Sequence, residues 1–326
     1  MVWIRRAAVF CFLISIAIVG TGETNSSLRF SLPPVLEALP IAFAQEWGLF
    51  ESHGVSVDLV GITDSQQRSA ALLTGNLDGM MEDVTHSILD SATGGDLVMT
   101  SAATSQPQTG SLSLALVSPA SYRIRSFERL VASSYSIGTL YRSDYEYLLD
   151  RLLNEQLGED TKKPELLYFH DILQMAVWFG AQTLPAAVLP EPYVTYLATA
   201  TPAGAKPIEL VVHDAFSALG GLPSVIVFHR RHLEQRPEAV EAFYAGYCEA
   251  IERINATPRD ELIDLGIDIA LSLFFQGADR ATINQEVLDA IPIPTFDLPT
   301  DLSQADYEAV LAWMLDKGYV YNPPSY

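Results

Sequence analysis

The chain of 326 residues contains only two cysteines, Cys11 and Cys248. Two thiols are too few for a disulfide framework or a zinc site built from several thiolates, which excludes redox modules and zinc ribbons. Basic residues are also scarce: 19 Lys and Arg stand against 40 Asp and Glu, and the formal net charge is −21. A field of this sign repels phosphate backbones and anionic lipid surfaces, and no local basic patch offsets it. We therefore expect no nucleic-acid partner.

Motifs of several familiar enzymes are absent. The chain has no G-x-S-x-G, S-x-x-K, H-E-x-x-H, G-x-x-x-x-G-K or G-x-G-x-x-G pattern. These absences argue against the hydrolases, zinc peptidases and nucleotide-binding enzymes that the patterns mark, and against no others. His229 and His232 enclose two arginines, which is a poor setting for a metal cation. We expect no metal site there.

The amino terminus has the pattern of a secretion signal. Arg5 and Arg6 precede an uncharged, almost wholly apolar run over residues 7–19, and the small residues 20–22 follow it. Such a run is short for a helix that must cross a hydrocarbon core of about 30 Å. We therefore predict that residues 1–22 are a signal peptide and that the protein is exported, to the periplasm or the outer face of the cytoplasmic membrane. An uncleaved anchor is the alternative.

Hydrophobic periodicity along the rest of the chain alternates between helix and strand. Helical spacing over 35–47 ends at Gly48, where a left-handed cap is favourable, and strand spacing over 55–60 precedes a helical segment at 65–74. Further strands are predicted near 80–81, 97–100, 112–117, 137–138, 166–168, 186–189, 208–212 and 225–228. The tail after residue 233 is mostly helical. The pattern predicts an α/β fold with two units, each a mostly parallel sheet flanked by helices.

Four segments occur in an order that is informative. They are LPIAFAQEWGLFESHGVSVDL at 39–59, AALLTGNLDG at 70–79, LPEPY at 189–193 and RPEAVEAF at 236–243. In this order they resemble the segments of periplasmic solute-binding proteins of ABC transporters, in the family that binds sulfonates, nitrate and thiamine precursors. The resemblance spans nearly the whole chain after residue 22.

The resemblance implies a two-lobed periplasmic binding protein of type II, with the ligand cleft between the lobes. We expect lobe one to comprise residues 23–117 and 224–326 and lobe two residues 118–223, with the first crossing near Ser118 and Pro119. The implied function is capture of a small-molecule solute by interlobe closure, without catalysis or a cofactor. The implied partner is an ABC permease with a cytoplasmic ATPase. The protein, expected to be a monomer, would contact the membrane only through this permease or through an uncleaved anchor.

Two other roles are alternatives to transport. A sensory solute-binding protein, which would signal to a receptor instead of supplying a permease, cannot be separated from a transport protein by sequence. An enzyme of pyrimidine synthesis shares the fold, but its cysteine-rich motif is absent here. We therefore expect a binding protein and not an enzyme.

Strand ends at the cleft supply the candidate solute ligands. In lobe one they are Ser31, Thr63, Asp64, Glu82, Asp83 and Thr85. In lobe two they are Tyr141, Arg142, Ser143, His170, Glu191 and Tyr193. Hydroxyl side chains before a helix could equally be N-caps. Two adjacent carboxylates at one strand end are costly to desolvate unless a solute or a neighbouring donor binds them.

Charge at these strand ends bears on the solute. Six carboxylates are expected there, at Asp64, Glu82, Asp83, Asp144, Asp171 and Glu191. Arg142 is the one base in these stretches, able to bind an anionic group of the solute or to pair with an acid of the other lobe. The excess of acids favours an amino-pyrimidine resembling a thiamine precursor, or another nitrogenous ring, on which Tyr141 and Tyr193 could stack. A small anion such as an alkanesulfonate or nitrate is the alternative.

Overall fold

The computed structural model describes residues 26–106, 113–158, 162–199, 208–213, 216, 221–275 and 285–324. The predicted signal peptide at 1–22 lies outside these residues. Among the helices of the described ranges, none combines the length and apolar character needed to cross a membrane.

The described strands and helices alternate along most of the chain. The strands are β1 Ser26–Ser31, β2 Val55–Leu59, β3 Gly79–Glu82, β4 Leu97–Ala103, β5 Ser105–Gln106, β6 Leu114–Pro119, β7 Ile137–Leu140, β8 Leu166–Phe169, β9 Ala186–Pro190, β10 Leu210–His213, β11 Ser224–His229 and β12 Thr295–Phe296. The helices are α1 Leu39–Glu46, α2 Leu49–Ser52, α3 Ser65–Leu73, α4 Val84–Ala92, α5 Phe127–Val131, α6 Asp144–Leu157, α7 Ile172–Gly180, α8 Tyr193–Thr199, α9 Arg230–Gln235, α10 Pro237–Ala256, α11 Arg259–Leu273, α12 Gln285–Ala290 and α13 Gln304–Asp316.

Two sheets of five strands organise the molecule, in the orders β2-β1-β3-β11-β4 and β10-β6-β9-β7-β8. We call the first sheet with its helices lobe one and the second sheet with its helices lobe two. The α/β class and the two sheets confirm the expected fold. A third, two-stranded sheet pairs β12 with β5.

The sheets are mixed but mostly parallel, as the sequence pattern predicted: four of the five strands in each sheet run in the same direction. In each sheet one strand is reversed: β11 runs antiparallel to β3 and β4, and β6 runs antiparallel to β9 and β10. Each reversed strand is the first of its sheet after the chain changes lobe. The other strands end at the side facing the second lobe, so a strand that begins there must run the opposite way.

The chain passes from the first sheet to the second between β4 and β6 and returns between β10 and β11. Ser118 and Pro119, where we expected the first crossing, lie within β6. The limits of the lobes at 117/118 and 223/224 remain a prediction.

Local signals place several helix ends. Gly48 has the left-handed φ of +65° between α1 and α2, as its position after an apolar helical segment predicted. The helical pattern over 233–254 is interrupted at Arg236, because Pro237 begins a new helix at its first position.

Three apolar clusters form the core. One face of the first sheet packs on α1, α2 and α10, where the Phe50 and Phe243 rings stack at 5.1 Å between centroids. A second cluster joins the opposite face to α13 and to α6 of lobe two, and a third covers the outer face of the second sheet with α7. The shared cluster means that the lobes are in contact through apolar side chains as well as through polar ones.

Candidate functional site

The loops that follow the strands of the two sheets meet directly. The Thr63 hydroxyl, after β2, donates to Asp171 Oδ2, after β8, at 2.8 Å. The next contact joins the Ser65 N–H to the His170 carbonyl at 3.2 Å. We call the surface where the loops after β1–β3 meet the loops after β7–β9 the interlobe face.

Two predicted ligands of lobe one have structural partners within that lobe. Ser31 is buried, and its hydroxyl donates to the Val60 carbonyl at 2.8 Å. Asp64 caps α3 by accepting the Gln67 N–H at 2.9 Å. Thr63, the residue before Asp64, contacts lobe two through Asp171.

Asp83 caps α4 and pairs with a buried histidine. Its Oδ1 accepts the His86 N–H at 2.7 Å, and its Oδ2 lies 2.8 Å from His86 Nδ1. Burial lowers the pKa of His86, but the Asp83 carboxylate outweighs burial, and the net effect is a raised pKa. One carboxylate of the adjacent pair therefore has a partner within its own helix turn, and it stabilises the protonated form of that partner.

Glu82, the last residue of β3, has no such partner. It is 3% exposed, and its Oε1 accepts no hydrogen bond from the described residues. Burial, together with the negative charges of Asp90 and Asp83, raises its pKa well above the usual range. The raised pKa favours the protonated form of Glu82, which can donate one hydrogen bond and accept others.

Arg68 is a base that sequence reasoning did not include. It lies buried in α3, and its Nη1 donates to the Ile62 and Thr63 carbonyls at 3.1 and 2.9 Å. Its Nε has no partner among the described residues. Burial lowers the pKa of Arg68, and the nearby Glu82 carboxyl opposes that shift. The expectation of a single base at the strand ends was therefore wrong, because helical periodicity alone does not show that a polar residue of α3 turns inward.

In lobe two, β7 is followed by an unusual turn. Arg142 has a left-handed φ of +53°, a conformation that a residue with a side chain keeps only where its surroundings fix it. Its guanidinium lies 4.9 Å from the Tyr141 ring centre and 4.8 Å from that of Tyr319. Among the described residues Arg142 forms no ion pair, so pairing with an acid of the other lobe, one of the two roles open to it, is not observed there. Ser143 caps α6 by accepting the Glu146 N–H.

The remaining ligands predicted in lobe two are held in different ways. Glu191 accepts hydrogen bonds from the N–H and hydroxyl of Thr195 at 3.1 and 3.0 Å, as a cap of α8. The Tyr193 hydroxyl donates to the Phe274 carbonyl at 3.2 Å and the side chain is buried, so its ring is not free to stack on a solute. His170 lies edge-on to Tyr141, with 5.6 Å between ring centres.

The most extensive contact across the interlobe face involves Asp144, the first residue of α6. Its carboxylate accepts the Val84 N–H at 3.1 Å, the Thr85 N–H at 3.0 Å and the Thr85 hydroxyl at 2.5 Å. These three donor groups belong to Val84 and Thr85, in the first turn of α4 in lobe one. Burial and the nearby Asp83 carboxylate raise the pKa of Asp144. Thr85, a predicted solute ligand, is thereby bound to the other lobe.

Two further residues at this face were missed by sequence reasoning. The Glu37 carboxylate lies in the turn after β1 and accepts a hydrogen bond from the Ser105 hydroxyl at 3.2 Å. Burial, followed by the negative charges of Glu37, Asp83 and Asp144, raises the pKa of Tyr145. Only the position of Glu37 after a predicted strand could have indicated it.

Buried polar atoms that find no partner among the described residues occur on both sides of the interlobe face. They are Arg68 Nε and Glu82 Oε1 in lobe one and Thr139 Oγ1, Arg142 Nε and His170 Nδ1 in lobe two. Most buried polar atoms in proteins are hydrogen-bonded, so such a group needs a partner beyond the polypeptide, such as water or a solute. No cluster of three or more metal-ligating side chains occurs within the described ranges.

Comparisons with known proteins concern the fold. No protein-family model and no curated protein matches this chain significantly. Among solved structures, it is similar to the alkanesulfonate-binding protein SsuA from Xanthomonas axonopodis pv. citri, bound to MOPS. The identity is 17%, the match covers 92% of this chain and 96% of that one, and the TM-score is 0.70.

Two other solved structures are similar over most of their length. One is the ligand-binding component of an ABC-type import system from Staphylococcus aureus, with 14% identity, coverage of 93% and 95%, and a TM-score of 0.66. The other is the periplasmic nitrate-binding protein NrtA from Synechocystis PCC 6803, with 11% identity, coverage of 91% and 83%, and a TM-score of 0.65. The chain thus has the two-lobed α/β fold of the periplasmic binding proteins, as the sequence resemblance implied.

Proposed function

We propose that this protein is the exported solute-binding component of an ABC importer and not an enzyme. It would capture one small solute between its lobes and deliver it to a permease with a cytoplasmic ATPase. The observation that carries the proposal is the set of buried polar atoms, unpartnered among the described residues, that both lobes present at the interlobe face. Three similar solved structures are described as ligand-binding, alkanesulfonate-binding and nitrate-binding proteins.

Energetics support a solute at this place. A buried polar group that lacks a hydrogen bond costs about 1–3 kcal/mol. Arg68 Nε and Glu82 Oε1 lie on one side and His170 Nδ1 on the other, so a solute that reaches both sides would recover part of that cost. Such a solute stabilises the closed arrangement of the lobes, and the stabilisation grows with the affinity of the solute for that arrangement.

The chemistry of the acids bears on the solute class. In its protonated form, which burial favours, Glu82 can donate a hydrogen bond to a ring nitrogen while its other oxygen accepts one from an adjacent amino group. An amino-pyrimidine or a related nitrogenous ring carries that pair of groups, and we rank such rings first. Small anions such as alkanesulfonates or nitrate come second, since Arg68 supplies one buried cation near Glu82 and Asp83.

A thermal-shift screen of the protein without its first 22 residues tests the proposal. The panel contains amino-pyrimidines, polyamines, flavins, alkanesulfonates and nitrate, and each hit is titrated by calorimetry. We expect one site per chain. Glu82→Gln and Asp83→Asn should each weaken binding at least about tenfold, which is about 1.4 kcal/mol.

The matched control is Asp58→Asn, because Asp58 is exposed on β2 and, within the part of the chain that the structure describes, forms an ion pair with Arg29 alone. It should bind like the wild type. The absence of any hit would count against solute capture. Unchanged affinity in both acid variants would remove Glu82 and Asp83 from the site.

A further inference from the structure

Asp144 occupies a position that an anion would otherwise take. The N-terminus of a helix carries unpaired N–H groups and a partial positive charge, and it binds anions readily. In α4 two of these N–H groups, at Val84 and Thr85, and the Thr85 hydroxyl all donate to the Asp144 carboxylate. The carboxylate reaches them from lobe two, and its residue is 5% exposed.

This arrangement differs from ordinary helix capping. The cap of α4 is Asp83, which already accepts the His86 N–H from within its own helix. Asp144 is therefore an additional carboxylate, supplied by a different sheet. Three donors on one group of atoms, withdrawn from water, form a site that is selective for an oxyanion.

We propose that Asp144 is the specificity-determining residue of the interlobe face: its tethered carboxylate fills the oxyanion position at α4 and excludes anionic solutes. The inference rests on the proposed function and narrows it to neutral or cationic solutes. A second anion beside Asp144 would also be repelled by the nearby carboxyl groups of Asp83 and, when ionised, Glu82.

Removing the tethered carboxylate should convert exclusion into binding. In Asp144→Ala the three donors lose their acceptor and a small space opens beside them. The local charge after a monovalent anion enters equals that of the wild type with an ionised Asp144. Formate, acetate, nitrate and methanesulfonate are suitable probes because each presents oxygen acceptors.

Thermal unfolding in the presence of these anions tests the proposal. For Asp144→Ala we expect an increase in Tm of about 3 °C at an anion concentration ten times its Kd. The same anions should leave the wild type unchanged, and sodium chloride at equal ionic strength should stabilise neither protein. Asp144→Asn, which keeps the volume and fills the space, should also show no increase.

A control separates anion binding from general destabilisation. Ser303→Ala removes the cap of α13, whose side chain accepts the Asp306 N–H at an exposed helix end. It should lower Tm without gaining any response to anions, because water already reaches those donors. If Asp144→Ala is unfolded, formate or acetate should restore its folded circular-dichroism spectrum.

The outcomes distinguish this inference from the proposed function. Asp144 does not exclude anions if they neither stabilise nor refold Asp144→Ala, or if nitrate or a sulfonate stabilises the wild type. In either case the proposed solute capture still holds if any compound of the screen binds. If Asp144→Ala gains anion binding but no solute stabilises the wild type, the role of Asp144 holds and the proposed transport function fails.

Discussion

Asp90 gives a quantitative test of the buried acidic cluster in lobe one. It lies on α4 and is 5% exposed, and its Oδ2 has no partner among the described residues. Burial raises its pKa from 3.8 to about 6. Between these pH values the folded protein keeps a proton that the unfolded chain has released. The free energy of unfolding therefore falls as the pH rises through this window and stays at the lower level above it.

The size of the effect follows from the two pKa values. A difference of about 2 corresponds to roughly 3 kcal/mol, of which about 2 kcal/mol falls between pH 4.5 and pH 7.5. Asp90→Asn keeps the shape of the side chain and removes its ionisation. Relative to the wild type, the variant should therefore gain about 2 kcal/mol on going from pH 4.5 to pH 7.5. Any constant cost of the buried amide cancels in this comparison.

Urea unfolding followed by tryptophan fluorescence at the two pH values measures this difference. Asp58→Asn serves as the control, because Asp58 is exposed and its side chain remains in contact with water. Its effect should not depend on pH over this range. If the effect of Asp90→Asn were equally independent of pH, Asp90 would ionise as it does in water, and the desolvation of the cluster would be refuted.

Two further substitutions test packing around the site. Lys317→Met should lower the free energy of unfolding by about 2 kcal/mol, because the Lys317 ammonium lies 3.0 Å from the fully buried Glu146. The control Arg151→Met, on the exposed side of α6, should lower it by less than about 0.5 kcal/mol. Equal losses in urea unfolding would show that the Lys317 contact is not a buried one. Gly79→Ala should lower the free energy of unfolding by about 2 kcal/mol in the same assay, because an added Cβ would lie 2.6 Å from the Phe228 ring. An unchanged free energy would contradict the close packing of β3 on β11.

Much of the fold follows from local patterns. Strand and helix periods located most of the elements, and Gly48 ended α1 in the left-handed conformation that its position suggested. The reversed strands β6 and β11 did not follow, because strand direction depends on where the chain enters a sheet and leaves no mark on the alternation of side chains.

The site was predictable only in part. The strand ends Thr63, Glu82 and His170 do lie at the interlobe face, since their order along the chain and the fold class suffice to place them. The partners did not follow from sequence. That Asp144 reaches α4, and that Arg68 turns inward among the acids, depends on how two separate sheets approach each other.

The central claim is that a solute binds between the two sheets at their strand ends. Hydrogen exchange followed by mass spectrometry, with and without a saturating hit from the screen, tests it most directly. The account predicts that the solute slows exchange in peptides covering 62–68, 82–87, 139–144 and 170–174, which belong to both lobes. Slowed exchange confined to one lobe, or located away from these segments, would contradict it.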